Sequence, residues 1–167
     1  VHPADQVSGG TARIAYLDGR RLRQVLRAGI ARVVADRGHL DRINVFPVAD
    51  GDTGTNLTLT LVAVDERLAA SAADHAGLVL VAAADAALDG ARGNSGAIFA
   101  QFFQGLAEAL GDLPRLAPAD LARGLAAADQ AARAALAEPR EGTVLTVMRA
   151  AAEAAAPEGL PPGADFV

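Results

Sequence analysis

Three short glycine-bearing turns punctuate this chain, and each runs straight into an apolar stretch with helical spacing. Such a pattern restricts the fold to helices joined by tight connections. From Asp18 to about Asp36, Leu22, Val25, Leu26, Ile30, Val33 and Val34 recur at helical spacing, with arginines on the opposite face. This predicts an amphipathic helix ended by Gly38 and followed by a loop that holds His39, Asp41 and the first turn. A second helix is expected from near Thr55 through Leu57, Leu61, Val62 and Leu68, although Thr58 and Thr60 alternate as they would in a strand. Asp74 is placed as the cap of a third helix running to Leu88, apolar nearly all round and so expected at the centre of a bundle. A fourth carries Ile98, Phe99, Phe102, Phe103 and Leu106. A fifth starts at Pro118 and reaches about Leu136, and a sixth carries Leu145, Val147 and Met148. The expected fold class is all-α, about six helices in an up-down arrangement, with the three turns gathered at one end.

Composition removes several kinds of function. The chain has 167 residues, 51% of them apolar, which is enough for one domain with a real core. There is no cysteine, so disulfides, thiol catalysis and cysteine-bound metals are excluded. A formal charge of −5 and scattered basic residues argue against nucleic acid as a partner. All 15 basic residues are arginine. Without lysine, neither the phosphate-loop lysine nor the protein-kinase strand lysine can be present, so any nucleotide chemistry must rest on metal, backbone amides and arginine. No charge-free apolar run has the roughly 20 residues of a membrane span. Val1 to Gly10 lack the pattern of a signal peptide. Residues 1–15 are expected to form a flexible leader, 16–156 the helical domain and 157–167 an irregular tail, in a cytoplasmic protein.

The first turn, Asn44-Val45-Phe46-Pro47-Val48-Ala49-Asp50-Gly51-Asp52-Thr53-Gly54-Thr55-Asn56, carries two carboxylates separated by one glycine. Side chains two apart on an extended segment point the same way, and Gly51 lets the backbone turn tightly enough for the acids to converge. Thr53, Gly54, Thr55 and Asn56 then stand where a helix begins, so their hydroxyls, amide and free N–H groups make an anion site. Acids beside an anion are favourable only when divalent cations bridge them, which suggests Mg²⁺ with a nucleoside polyphosphate. In the plainer alternative Asp50 closes the turn and Asp52 caps the helix. A calcium loop is a third possibility, but Thr55 stands where its glycine belongs and Leu61 where its bidentate glutamate belongs.

The second turn, Ala91-Arg92-Gly93-Asn94-Ser95-Gly96-Ala97, makes either another amide cradle for an anion or an ordinary loop capped by Asn94 or Ser95. The third, Glu138-Pro139-Arg140-Glu141-Gly142-Thr143-Val144, opens the last helix, and Glu141 fits a first-turn acid facing the helix dipole. His39 is taken as a loop histidine without chemistry, and His2 and His75 are placed at the surface by default.

The run from Ile43 to Leu57, the Arg92-Gly93-Asn94-Ser95-Gly96 turn and the stretch from Glu138 to Val147 together closely resemble three motifs of the nucleotide-binding domain of bacterial fatty acid kinase, itself similar to the L subunit of dihydroxyacetone kinase. The resemblance covers about residues 16 to 156. It implies an antiparallel helical barrel that binds ATP with two Mg²⁺ at one rim. By motif position, Asp50 and Asp52 would be catalytic metal ligands. Asn44 would stand near the third, aspartate ligand of the dihydroxyacetone kinases. Thr53, Thr55 and Asn56 would approach phosphate and metal, and Asn94, Ser95 and Gly96 would hold phosphates. Thr143 and Val144 would lie near the adenine.

The same resemblance implies transfer of a phosphoryl group to a fatty acid carboxylate presented by a separate fatty-acid-binding protein. Two alternatives stand beside it: a dihydroxyacetone kinase L-type phosphotransfer domain, and a helical interaction fragment with a vestigial nucleotide site. Family members continue with helices that close the barrel, so this chain is expected to be a truncated piece, incompetent for turnover alone. Its exposed apolar surface could pair two copies as a homodimer.

Overall fold

A computed structural model describes residues 14–45 and 49–156. Among them the chain forms seven helices: α1 (Gly19–Ala35), α2 (Arg37–Arg42), α3 (Thr53–Ala70), α4 (Ala76–Gly90), α5 (Gly93–Leu110), α6 (Pro118–Ala134) and α7 (Val144–Ala155). The all-α class holds, and no ladder of strands occurs among the described residues; one isolated bridge pairs Leu17 with Leu116. The tail from Pro157 and nearly all of the leader lie outside the described residues, as do Phe46, Pro47 and Val48.

Short connections place successive helices side by side: α3 packs on α4, α4 on α5, α5 on α6 and α6 on α7, while α1 lies against α3 and α4. Most of the core is one cluster, built from Leu22 and Ile30 of α1, Leu61, Val64 and Leu68 of α3, Val79 and Leu80 of α4, and Phe103, Leu106 and Leu110 of α5. A smaller cluster of Ala132, Leu145 and Met148, with Phe99 and Phe102 against it, seats α7. No helix among the described residues is long and apolar enough to cross a membrane.

Several local expectations change. Gly38 does not end α1: the chain breaks at Asp36 and resumes as α2, so Gly38, His39 and Asp41 are helical, not in a loop. Glycine disfavours a helix interior by only about 1 kcal/mol, which tertiary packing of α2 on α3 offsets. That packing depends on Gly54, where an added Cβ would collide with the Arg37 carbonyl and lie 2.9 Å from the Leu40 side chain. The doubt over the start of α3 resolves as helix, because Thr60 is buried and its hydroxyl donates to the Asn56 carbonyl at 2.9 Å. The strand-like alternation yields to this satisfied back-bond.

The cap of α4 is His75, not Asp74: the half-buried His75 accepts from the Leu78 N–H through Nδ1 at 3.3 Å. The Asp74 carbonyl is engaged elsewhere, accepting from the Gly19 N–H at 2.8 Å. The fourth predicted helix begins earlier, at Gly93, so Asn94, Ser95 and Gly96 form its first turn. Neither Asn94 nor Ser95 is the cap, since Arg92 holds that position. Leu78 and Leu88 of α4 are exposed, so this helix is buried on one side only and is not enclosed on all faces.

Candidate functional site

The acidic turn connects α2 to α3. Asp50 and Asp52 are both exposed, and each carboxylate is held by a nearby amide side chain. Asn44 Nδ2 donates to Asp50 Oδ1 at 2.7 Å, and Asn56 Nδ2 donates to Asp52 Oδ2 at 2.7 Å. Among the described residues the second oxygen of each acid has no hydrogen-bond partner. Gly51, between them, has φ +67°, a left-handed conformation in which a side chain would be strained. These local bonds keep the acids oriented without neutralising them.

Asp41, on α2, is the residue that sequence reasoning missed. Its Oδ1 accepts from the Thr55 N–H at 2.9 Å, and its Oδ2 accepts from the Thr55 hydroxyl at 3.0 Å. The Thr55 N–H bond is the main reason that the Asp41 carboxyl lies below the usual aspartate range; the Thr55 hydroxyl, the Gly54 N–H and Arg37 add to it against partial desolvation. Thr55 was expected to face phosphate, and in this arrangement both its amide and its hydroxyl are committed to Asp41.

The second turn lies directly against the first. Gly93 has φ +57°, and a Cβ there would run into the Asn56 side chain. Thr60 links the two motifs: its hydroxyl donates to the Asn56 carbonyl and accepts from the Arg92 N–H at 3.1 Å. Gly96 sits over that same hydroxyl, in space that any Cβ would invade. Ser95 reaches across to the Thr53 carbonyl at 3.4 Å. Thr53, Asn56, Ser95 and Gly96 are thereby gathered within one junction beside the acids, and Asn94 is exposed at its edge.

The third turn stands apart in its bonding. Thr143 caps α7, accepting from the Leu145 N–H at 3.3 Å and donating to the Arg140 carbonyl at 2.9 Å. Val144 packs in the small cluster with Ile98 and Phe99 of α5. Among the described residues no hydrogen bond or ion pair connects Thr143 or Val144 to the other turns. Glu141 precedes the helix and is not a first-turn acid. It accepts from the Thr146 hydroxyl at 2.6 Å and pairs with Arg133 at 2.8 Å and Arg149 at 2.9 Å. The Thr146 hydroxyl, followed by the two arginines, keeps the Glu141 carboxyl below the ordinary glutamate range.

Oxygen donors on Asp50, Asp52 and Asn44 suit a hard divalent cation such as Mg²⁺. Among the described residues no group of three or more histidine or acidic side chains could hold a metal ion. A cation here would therefore complete its coordination from a bound phosphate and water, which is how Mg²⁺ commonly binds. Two cavities lie elsewhere. One of about 340 Å³ runs between α3 and α4 beside Glu66 and Arg67. The other, apolar and about 370 Å³, is bounded by α1, α5 and α6.

Comparison with known proteins fits this geometry. The DAK2 domain matches residues 47–165. Protein YloV of Bacillus subtilis (strain 168) is 37% identical over 142 residues, which are 85% of this chain and 26% of that protein. An uncharacterized protein of Staphylococcus saprophyticus is 34% identical, and one of Staphylococcus aureus (strain USA300) 33% identical, with the same coverage of 85% and 26%. The chain thus spans about a quarter of the length of the curated relatives it matches. With the helical fold, the paired acids and the glycine turns set against them, these matches make the chain a member of the DAK2 domain family, the dihydroxyacetone kinase L-subunit type of helical domain.

Proposed function

We propose that this domain binds ATP with two Mg²⁺ and serves a kinase that phosphorylates a fatty acid carboxylate presented by a separate fatty-acid-binding protein, giving an acyl phosphate. The observation that carries the reading is the pair of exposed carboxylates, each with one oxygen left without a partner among the described residues, beside the starts of α3 and α5. Two acids with no ion-pair partner among the described residues are better placed as cation ligands than as structural groups.

Asp50 and Asp52 would hold the cations, with Asn44 adding its amide oxygen. Mg²⁺, when bound, neutralises charge on the phosphate oxygens of the leaving group. Asn56 orients Asp52 through its amide. The N–H groups opening α5, on Asn94 and Ser95, would serve an anion as a helix N-terminus does, whereas the Gly96 N–H is taken by the Arg92 carbonyl at 3.0 Å and Gly96 contributes by letting the turn close over Thr60. Thr53 and the Ser95 hydroxyl line the same junction, whereas Thr55 acts there through Asp41. Thr143 and Val144 would border the adenine side. A carboxylate acceptor is already ionised at neutral pH, so no general base is required of this chain.

The preference for a fatty acid over dihydroxyacetone as acceptor rests on the Asn44 to Val48 run, which resembles the fatty acid kinases. Calorimetric titration of ATP in magnesium tests the binding step: Asp52→Asn should weaken binding at least tenfold, and equal binding would remove Asp52 as a ligand. Incubation of the full-length protein with ATP and either a fatty acid on its carrier or dihydroxyacetone tests the acceptor. Phosphate appearing on dihydroxyacetone alone would overturn the fatty acid assignment.

A further inference from the structure

Asp52 occupies the N-cap position of α3. An aspartate there ordinarily has extended backbone and turns its carboxylate back onto the N–H of the second or third helical residue. Asp18 and Thr143 in this chain do so, whereas Asp36, wedged between α1 and α2 with ψ 5°, makes no such bond. Asp18, with ψ 175°, accepts from the Arg21 N–H at 2.8 Å at the start of α1. Thr143, with ψ −171°, accepts from the Leu145 N–H at the start of α7.

Asp52 departs from this behaviour. Its ψ is −2° and its side chain makes no cap hydrogen bond. The Thr55 N–H that it would take is bound at 2.9 Å by Asp41, fourteen residues earlier and on a different helix. The second Asp41 oxygen takes the Thr55 hydroxyl at 3.0 Å. Close approach of α2 to α3, permitted by the missing side chain of Gly54 against the Arg37 carbonyl, puts Asp41 in reach. With the Thr55 N–H already taken, the Asp52 carboxylate lies instead against Asn56 and keeps one oxygen without a partner among the described residues.

We propose that Asp41 is a positioning residue: by capping α3 from α2 it holds Asp52 off its own helix and leaves that carboxylate free for a divalent cation. The cation role of Asp52 comes from the functional reading above, whereas the exchange of caps stands on geometry alone. Without Asp41, Asp52 falls back onto the Thr55 N–H, so the helix stays capped and the cation site loses a ligand. A residue needed only for folding would behave in the opposite way.

Two measurements on the full chain separate these ideas. The first uses thermal melting of Asp41→Ala, Asp52→Ala and the double variant, without magnesium or nucleotide. Asp52→Ala alone should move the midpoint by less than about 1 °C, but by about 2–4 °C downward when introduced into Asp41→Ala, where Asp52 has become the cap. Additive shifts, or an Asp41→Ala chain that does not fold, would overturn the proposal. The second is calorimetric titration with ATP in magnesium. Asp41→Ala should bind at least tenfold more weakly while remaining folded, and Asp41→Asn, which keeps an oxygen for the Thr55 N–H, should recover to within about threefold of wild type. Wild-type affinity in Asp41→Ala would sink the proposal. If the melting cycle shows coupling and the wild-type chain takes up no ATP at any magnesium concentration, the cation reading fails while the cap exchange stands.

Discussion

Single hydroxyls and missing side chains determine how the two turns meet. Thr60 is fully buried, and its hydroxyl is the contact through which α3 holds the Arg92 amide. Replacing it with valine keeps the volume but leaves that N–H unpaired, so Thr60→Val should destabilise the domain by about 1–3 kcal/mol in urea unfolding. Thr60→Ser retains the donor and acceptor and should fall well short of that loss. Gly93 combines φ +57° with a contact to Asn56 that leaves no room for a Cβ. Gly93→Ala should therefore push Asn56 away from Asp52 and lower both melting temperature and ATP affinity; a variant that melted and bound as wild type would show that the junction is slack. Thr60 is legible in the sequence only as a threonine at an apolar register, whereas Gly93 and Gly96 already stand out within a turn.

Helix ends and helix contacts carry the next level of organisation. At α1, the Arg21 N–H is the main cause that lowers the Asp18 carboxyl. At α3 Asp41 is lowered mainly by the Thr55 N–H, and before α7 Glu141 by the Thr146 hydroxyl. Carboxyls depressed in the folded state contribute stability that is complete above their unfolded values and is lost as pH falls through the folded ones. The melting midpoint should thus be nearly flat between about pH 6 and 7 as far as these acids are concerned and drop below about pH 4. A midpoint that rose on acidification across that lower range would contradict the caps. Gly54→Ala should separate α2 from α3, with an overpacking loss of about 1–3 kcal/mol, because its Cβ would strike the Arg37 carbonyl. The capping residues were foreseeable in kind, but Asp74 and His75 show the difficulty: both can cap, and α4 starts at Ala76, which leaves His75 in the capping position.

The bundle as a whole is held by a leucine- and alanine-rich core, with Leu68, Leu110, Leu116 and Leu145 among its fully buried side chains. Leu110 belongs to the main cluster, and Leu110→Ala should cost about 2–5 kcal/mol in denaturant unfolding, the range for a truncated core leucine. Leu145 belongs to the smaller cluster that seats α7. Leu145→Ala should therefore loosen α7 and raise amide exchange there before α3 or α4 is affected. Uniform loss of protection over all helices would show instead that the two clusters unfold as one unit. Val25, Leu59, Leu78, Leu88 and Val147 remain exposed, each more than half accessible. Single surface leucines and valines of this kind are ordinary in soluble domains.

Helical periodicity, the turn glycines, the absence of cysteine and lysine, and the spacing of Asp50 and Asp52 about one glycine were all readable along the chain. They depend on interactions within about one helical turn, and local order is what a linear pattern records. The six long helices were legible for that reason, with their ends displaced by a few residues. Helix α2 was not, because a six-residue segment containing glycine is stabilised by α3 packed against it. Asp41 capping Thr55, Thr60 holding the Arg92 amide and Arg133 pairing with Glu141 join different elements of the fold. Such bonds form only when packed cores bring distant backbones within hydrogen-bond reach, so the chain reveals which groups can bond and the packing of helices selects which of them do.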